Sequence, residues 1–165
     1  MLEFISALRR LFVVFLLATW WGGFTFYALA VIPSGHQVLR SRLRQGFITQ
    51  RVTVRLNWLG VAAIAAAAVE VWAARKSPRR FRVLLGAWVV CAGTEAGLFS
   101  LHARMDELLD GKAMAITDQD RFDRLHEYYL WPATIGWGAT AVMLGLLACP
   151  AKPREIARAA TPGSR

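Results

Sequence analysis

Glu95, Phe99, His102 and Asp106 are spaced at i, i+4, i+7 and i+11 in this 165-residue chain. On an α-helix that spacing puts all four side chains on one face. The chain has three histidines in total, His36, His102 and His126. Imidazole nitrogen is a common ligand of copper, iron and zinc, and a carboxylate can complete the shell. His36, His102, His126 and Asp106 are therefore the candidate metal ligands, for copper or, through an axial imidazole, for haem. Two other readings use the same residues. In one, Glu95, His102, Asp106 and His126 line a path for a ligand or ion. In the other, His102 and His126 cap helix ends and pair with Arg104, Arg121 or Arg124, and the cluster is structural. No HxxH or HExxH spacing occurs. An enzyme is the weakest reading, because no nucleophile–base pair or cofactor fingerprint is present.

The elements that must position these residues are apolar helices. The chain is 56% hydrophobic and contains seven Trp. Four stretches, 11–32, 56–74, 83–101 and 128–149, are almost free of charge; the second holds Glu70 and the third Glu95. A hydrocarbon core about 30 Å thick takes roughly 20 helical residues, so each stretch is long enough to cross. None alternates as a barrel strand does, and a span must satisfy its own backbone hydrogen bonds, so the expected fold is an all-α, four-transmembrane-helix bundle. It forms a single domain over 1–150, with a short basic tail over 151–165. The first stretch exceeds the h-region of a signal peptide and carries Trp20 and Trp21, which favours a retained span.

Charge sets the orientation. The N-terminus, the 75–82 loop and the tail hold eleven Lys and Arg against Glu3 and Glu155. Arg75, Lys76, Arg79, Arg80 and Arg82 crowd the short loop between two spans, which places that side, and both termini, in the cytoplasm. The formal net charge of +9 is spread between and beyond the apolar stretches, so nucleic acid is not an expected partner. This topology puts His36, His102 and His126 on the non-cytoplasmic side, together with Asp106, Asp123 and Glu127. Glu95 lies six residues inside the span, about 9 Å deep at the usual helical rise, near the level of Thr25 and Thr134. An intramembrane carboxylate must face the bundle interior and find a partner or a proton, which makes Glu95 the leading functional candidate. Glu70, four residues from the cytoplasmic end, is expected to snorkel toward Arg75 or Arg79.

The connections are expected to differ. Pro33-Ser34-Gly35 reads as a turn, and 33–55 as a short amphipathic helix at the membrane surface. The 102–127 segment should continue helically from the third span, break at Gly111 and restart after Thr117-Asp118. Gly93-x-x-x-Gly97, Thr19-x-x-x-Gly23, Gly136-x-x-x-Thr140 and Ala141-x-x-x-Gly145 are expected to mark helix contacts, within the bundle or with a second copy or another membrane protein. Trp72 and Trp88 should line one interfacial belt, with Trp58 and Trp131 in the other. Cys91 is read as a small packing residue and, with Cys149 far away, forms no disulfide or zinc framework.

Three short segments resemble a known family. Trp21-Gly22-Gly23-x-x-Phe26, ending in Val31-Ile32-Pro33, is similar to the opening of small bacterial four-helix membrane proteins. That family is a domain of unknown function related to eukaryotic transmembrane protein 205. His102-x-Arg104-x-Asp106 resembles its segment after the third helix, and Phe122-x-x-Leu125-His126 its entry into the last helix. Where the family tends to follow this histidine with a small hydroxyl residue, the chain has Glu127-Tyr128-Tyr129. The resemblance implies the four-span architecture. Its CopD-like neighbourhood implies copper as a ligand to consider. The expected activity is metal or ion handling or stress-related transport through the polar cluster near the non-cytoplasmic face. The competing expectation is a structural or interaction subunit.

Overall fold

Among the described residues there are five α-helices, four of them long. The computed structural model describes residues 1–111, 113 and 115–149; the expected tail over 151–165 lies outside the described residues. The elements are α1 (Leu2–Phe26), a π-helical segment (Tyr27–Val31), α2 (Ile32–Leu39), α3 (Arg42–Ala73), a 3-10 turn (Ala74–Lys76), α4 (Pro78–Asp106), a two-stranded hairpin of β1 (Leu109–Asp110) and β2 (Ala115–Ile116), and α5 (Gln119–Ala148). The helices containing α1, α3, α4 and α5 are long and apolar enough to cross a membrane.

Each long helix buries a narrow seam and leaves the rest of its surface apolar and exposed. Buried residues on α4 are Leu84, Cys91, Glu95, Leu98, His102 and Met105, and on α5 Tyr129, Ala133, Gly136, Thr140, Met143 and Leu147. From Cys91 onward on α4, and throughout on α5, these fall at alternating intervals of three and four, with Leu84 a full seven residues before Cys91. That is the spacing of helices that cross at a shallow angle. α1 packs on α3 and α5, and α4 joins α3 to α5, which closes a four-helix ring. Phe12, Phe15, Leu29, Trp58, Trp72 and Trp131 point outward and are exposed. One half of the interior is apolar, built on Val13, Leu17, Ala63, Ala67, Leu84, Cys91, Met143 and Leu147.

An ion pair closes the end that carries the termini. Glu70 is buried and accepts a hydrogen bond from Arg9 Nε at 2.6 Å, with Arg10 Nε 3.9 Å from its other oxygen. This corrects the expectation that Glu70 reaches Arg75 or Arg79. Arg75 instead lies over the Trp72 ring, 3.2 Å from its centroid, and donates to the Trp72 carbonyl. The helical phase of Glu70 turns it toward α1, where two arginines are nearer than its own loop. Trp88 is also not a belt residue: it is partly buried and donates to the Ile64 carbonyl of α3 at 2.9 Å.

The far end departs from the expected connections. Pro33 sits in the first turn of α2, where a missing N–H is harmless, so no turn forms there. The π-helical segment carries α1 directly into α2, and the reversal comes at Arg40, with φ 46°. Ser41 then caps α3 by accepting from the Arg44 N–H. The 33–55 stretch is therefore two helices: α2, and an extension that makes α3 32 residues long. Asp118 caps α5 by accepting from the Arg121 N–H at 3.0 Å.

The small-residue motifs contribute unevenly. A Cβ at Gly93 or Gly145 would meet nothing within 4 Å, so neither is a contact in this bundle. The close approaches are at Gly136, where Thr94 Oγ1 lies 2.8 Å from the Cβ position, and at Gly60, where the Trp20 ring lies 2.7 Å away. Gly60 belongs to none of the expected motifs. What it accommodates is an indole from a neighbouring helix, a contact that spacing within one helix does not encode.

Two consequences are measurable by thermal unfolding in detergent. Gly60→Ala should cost about 1–3 kcal/mol through overpacking against Trp20, whereas Gly93→Ala should be neutral or stabilising, since Ala is the better helix former by about 1 kcal/mol. Arg9→Ala should cost about 1–3 kcal/mol by leaving a buried carboxylate short of its main partner, and adding Glu70→Leu should recover much of that loss. Equal melting of wild type and Arg9→Ala would remove the ion pair as an anchor.

Candidate functional site

The polar residues of the far end surround one cavity of about 860 Å³. α2 contributes His36; the extension of α3 contributes Gln45, Thr49, Gln50 and Thr53; the end of α4 contributes His102 and Asp106. The hairpin supplies Leu109 and Ile116, and the start of α5 supplies Gln119, Phe122, Asp123, His126 and Tyr129. All three histidines thus line a single space, as do Asp106 and Asp123.

Helix packing explains the convergence. Tyr27, in the π-helical segment, is buried and donates to Thr49 Oγ1 at 2.8 Å, tying the end of α1 to α3. The Gln45 side chain packs directly on Gly35, which seats α2 across the α3 extension. Gln50 Nε2 donates to Asp106 Oδ1 at 2.7 Å and so joins α3 to the end of α4. On the α5 side, Gln119 Nε2 donates to Asp123 Oδ1 at 2.9 Å, and the His126 ring stacks on Phe122 with an interplanar angle of 3°.

His102 Nε2 lies 3.5 Å from Asp106 Oδ1, the oxygen already bonded to Gln50. That separation is long for a hydrogen bond but within reach of an ion pair if the imidazole gains a proton. The expected pairing of His102 and His126 with Arg104, Arg121 or Arg124 is replaced by these contacts. Among the described residues, no group of three or more His, Cys, Asp or Glu side chains is placed to hold a metal ion. A closed copper or zinc shell, which needs three or four ligands around one point, therefore does not fit the present positions of His36, His102, His126 and Asp106.

The sign of the lining is informative. The described residues around the cavity include two carboxylates and three imidazoles but no Lys or Arg. Arginines flank several of the lining residues in sequence, at 44, 51, 104, 121 and 124, yet none of them lines the space. With the cations held outside, the interior favours positive or neutral groups over anions.

Glu95 sits below this cavity on the α4 seam, 3% exposed, with no hydrogen-bond partner on either carboxylate oxygen. The threonines expected near its depth do not serve it. Thr25 donates to the Trp21 carbonyl and accepts from Trp137 Nε1, and Thr134 donates to the Leu130 carbonyl on an exposed surface. Its actual neighbours are Trp20, Thr94 and Thr140, which share a small cleft with it. The sequence did not single out Tyr129 as part of this interior, and it left Asn57 between an interfacial position and one facing the histidines. Asn57 lies at the start of an apolar stretch, where an interfacial position is the natural reading, but α3 extends so far beyond it that it is 1% exposed.

Comparison with protein-family models, with curated proteins and with solved structures finds no match.

Proposed function

We propose that this chain is a multi-pass protein of the cell membrane with both termini in the cytoplasm, and that it binds a small amphipathic cation in the cavity at its non-cytoplasmic end as part of a transport or ion-handling role. The observation that carries the reading is the cavity itself: about 860 Å³, faced by three imidazoles and two carboxylates, with no Lys or Arg among its described lining residues. Apolar walls from Ile32, Leu43, Met105 and Phe122 suit an organic body, and the carboxylates suit its charge. The volume lies within the range of small-molecule sites. Insertion in a membrane is supported by four apolar helices and by the exposed Trp, Phe and Leu around the bundle, surface that would be costly in water.

The binding test uses purified protein in mild detergent and two dyes, ethidium as an amphipathic cation and an anilinonaphthalene sulfonate as an anion. Ethidium should bind saturably. Gly46→Phe should weaken it at least tenfold without loss of melting temperature, because Gly46 lines the cavity and a Cβ there meets nothing. Asp106→Asn should weaken it several-fold. Preferential binding of the sulfonate, or unchanged ethidium affinity in Gly46→Phe, would reject the proposal. Orientation is checked separately with alkaline phosphatase fused after residue 149, which should be inactive; periplasmic activity would invert the topology.

A structural or interaction role has one observation in its favour: Gly86 and Gly93 lie on an exposed face of α4 with open space at their Cβ positions. A stoichiometric membrane partner or second copy that co-purifies, with no dye binding, is the outcome that role requires.

A further inference from the structure

Each of the four long helices carries a buried polar side chain without a well-formed hydrogen bond, and Tyr129 lies within reach of both Asn57 and Glu95. The four are Trp20 through Nε1 on α1, Asn57 through both amide atoms on α3, Glu95 through both oxygens on α4, and Tyr129 through its hydroxyl on α5. All are more than nine-tenths buried, at 6%, 1%, 3% and 6% exposure. Trp20 and Glu95 border the same small cleft, with about 10 Å³ of open space, the room one water needs. We infer that Glu95, Asn57, Trp20 and Tyr129 form a buried proton-binding site, served only from the cavity end of the bundle.

The donor set selects a proton over a metal cation. An ionised Glu95 here is one negative charge among the N–H of an indole, the NH₂ of an amide and the O–H of a phenol. Each of these groups can donate to a carboxylate, directly or through a water. They disfavour a metal ion, which needs several oxygen ligands around it. A protonated Glu95 is instead a donor, and the Asn57 carbonyl and the Tyr129 oxygen can accept from it. The same four side chains thus serve both protonation states. An unpaired carboxylate in an apolar bundle is otherwise disfavoured by several kcal/mol.

Access is one-sided. Tyr129 also lines the large cavity, its ring 6.4 Å from that of His102, and His102 Nε2 is 3.5 Å from Asp106 Oδ1. A proton leaving a Glu95 oxygen passes to water beside Tyr129, then to His102 Nε2 or cavity water, and the return reverses these transfers. Toward the termini, Leu17, Ala63, Cys91 and Met143 are 0% exposed, and the apolar core continues to Leu84 and Leu147. That barrier spans about 16 Å of helix between residues 95 and 84. Among the buried positions packed around Glu95, α1 and α3 bring no ionisable side chain, α4 brings Cys91 and His102, and α5 brings Tyr129. The inference requires the chain to span a membrane, but not that the cavity bind a cation.

Dicyclohexylcarbodiimide, which partitions into lipid and adds to protonated carboxyl groups, tests it. Full-length protein in sealed, singly oriented proteoliposomes should gain one adduct, mapped to Glu95 by peptide mass. Labelling should slow about tenfold per pH unit above the titration point when the pH is raised on the cavity side, and should not respond to pH on the termini side. His102→Gln, which leaves Glu95 in place, should delay the response to a cavity-side pH jump, and Glu95→Gln should remove the adduct. Labelling insensitive to pH, a response from the termini side, or an adduct that maps elsewhere would each overturn the site. Dye binding is read independently, so failure of either proposal leaves the other standing.

Discussion

The contact of Arg9 with Glu70 is the buried ion pair of the end where α1 begins and α5 finishes, with Arg10 beside it. Above it, α1, α3, α4 and α5 meet through small and branched apolar side chains that leave no opening. Polar side chains that belong neither to that ion pair nor to an outer surface are therefore gathered toward the other end. There, the α3 extension, α2 and the hairpin wrap a space instead of filling it. The cavity results from packing one end of the bundle tightly while holding the other apart with short secondary elements.

Buried carboxylates appear in two contrasting settings. Glu70 is matched by guanidinium groups and acts as an anchor; removing a partner strands a charge. Glu95 has only neutral dipoles around it. In an apolar bundle a carboxylate without a counter-charge is stable only if it holds a proton or is met by oriented donors. The difference is one of phase and level: Glu70 faces the arginines that precede the first span, while Glu95 faces a cleft that it shares with Trp20, Thr94 and Thr140.

The cavity shows how packing sorts charge. Arginines interrupt the sequence around Asp106, Asp123 and His126, so local composition alone gives no negative site. In the fold Arg104, Arg121 and Arg124 are exposed and line no part of the cavity, while Asp106, Asp123 and His126 border it and His102 is buried against it. The resulting sign of the interior, which underlies the proposed preference for cations, is a property of placement rather than of composition.

The number of apolar helices was legible in the sequence, because a helix that cannot borrow hydrogen bonds from water must be long, uncharged and self-satisfied. That His36, His102 and His126 share one end followed from counting spans, since each adjoins a span boundary of the same parity. The stripe of Glu95, His102 and Asp106 followed from the helical period. What tertiary structure alone decided was every partner between helices: Glu70 with Arg9, Trp20 on Gly60, Asp106 with Gln50, and Asn57 buried instead of interfacial. These pairs are separated by many residues, from 40 for Trp20 and Gly60 to 61 for Arg9 and Glu70. Spacing within one helix defines which residues share a face, but not which neighbour that face meets or how far the next helix extends. The histidines illustrate the divide: sequence placed them at one end, and only packing turned them toward a common cavity while keeping them from a common metal shell.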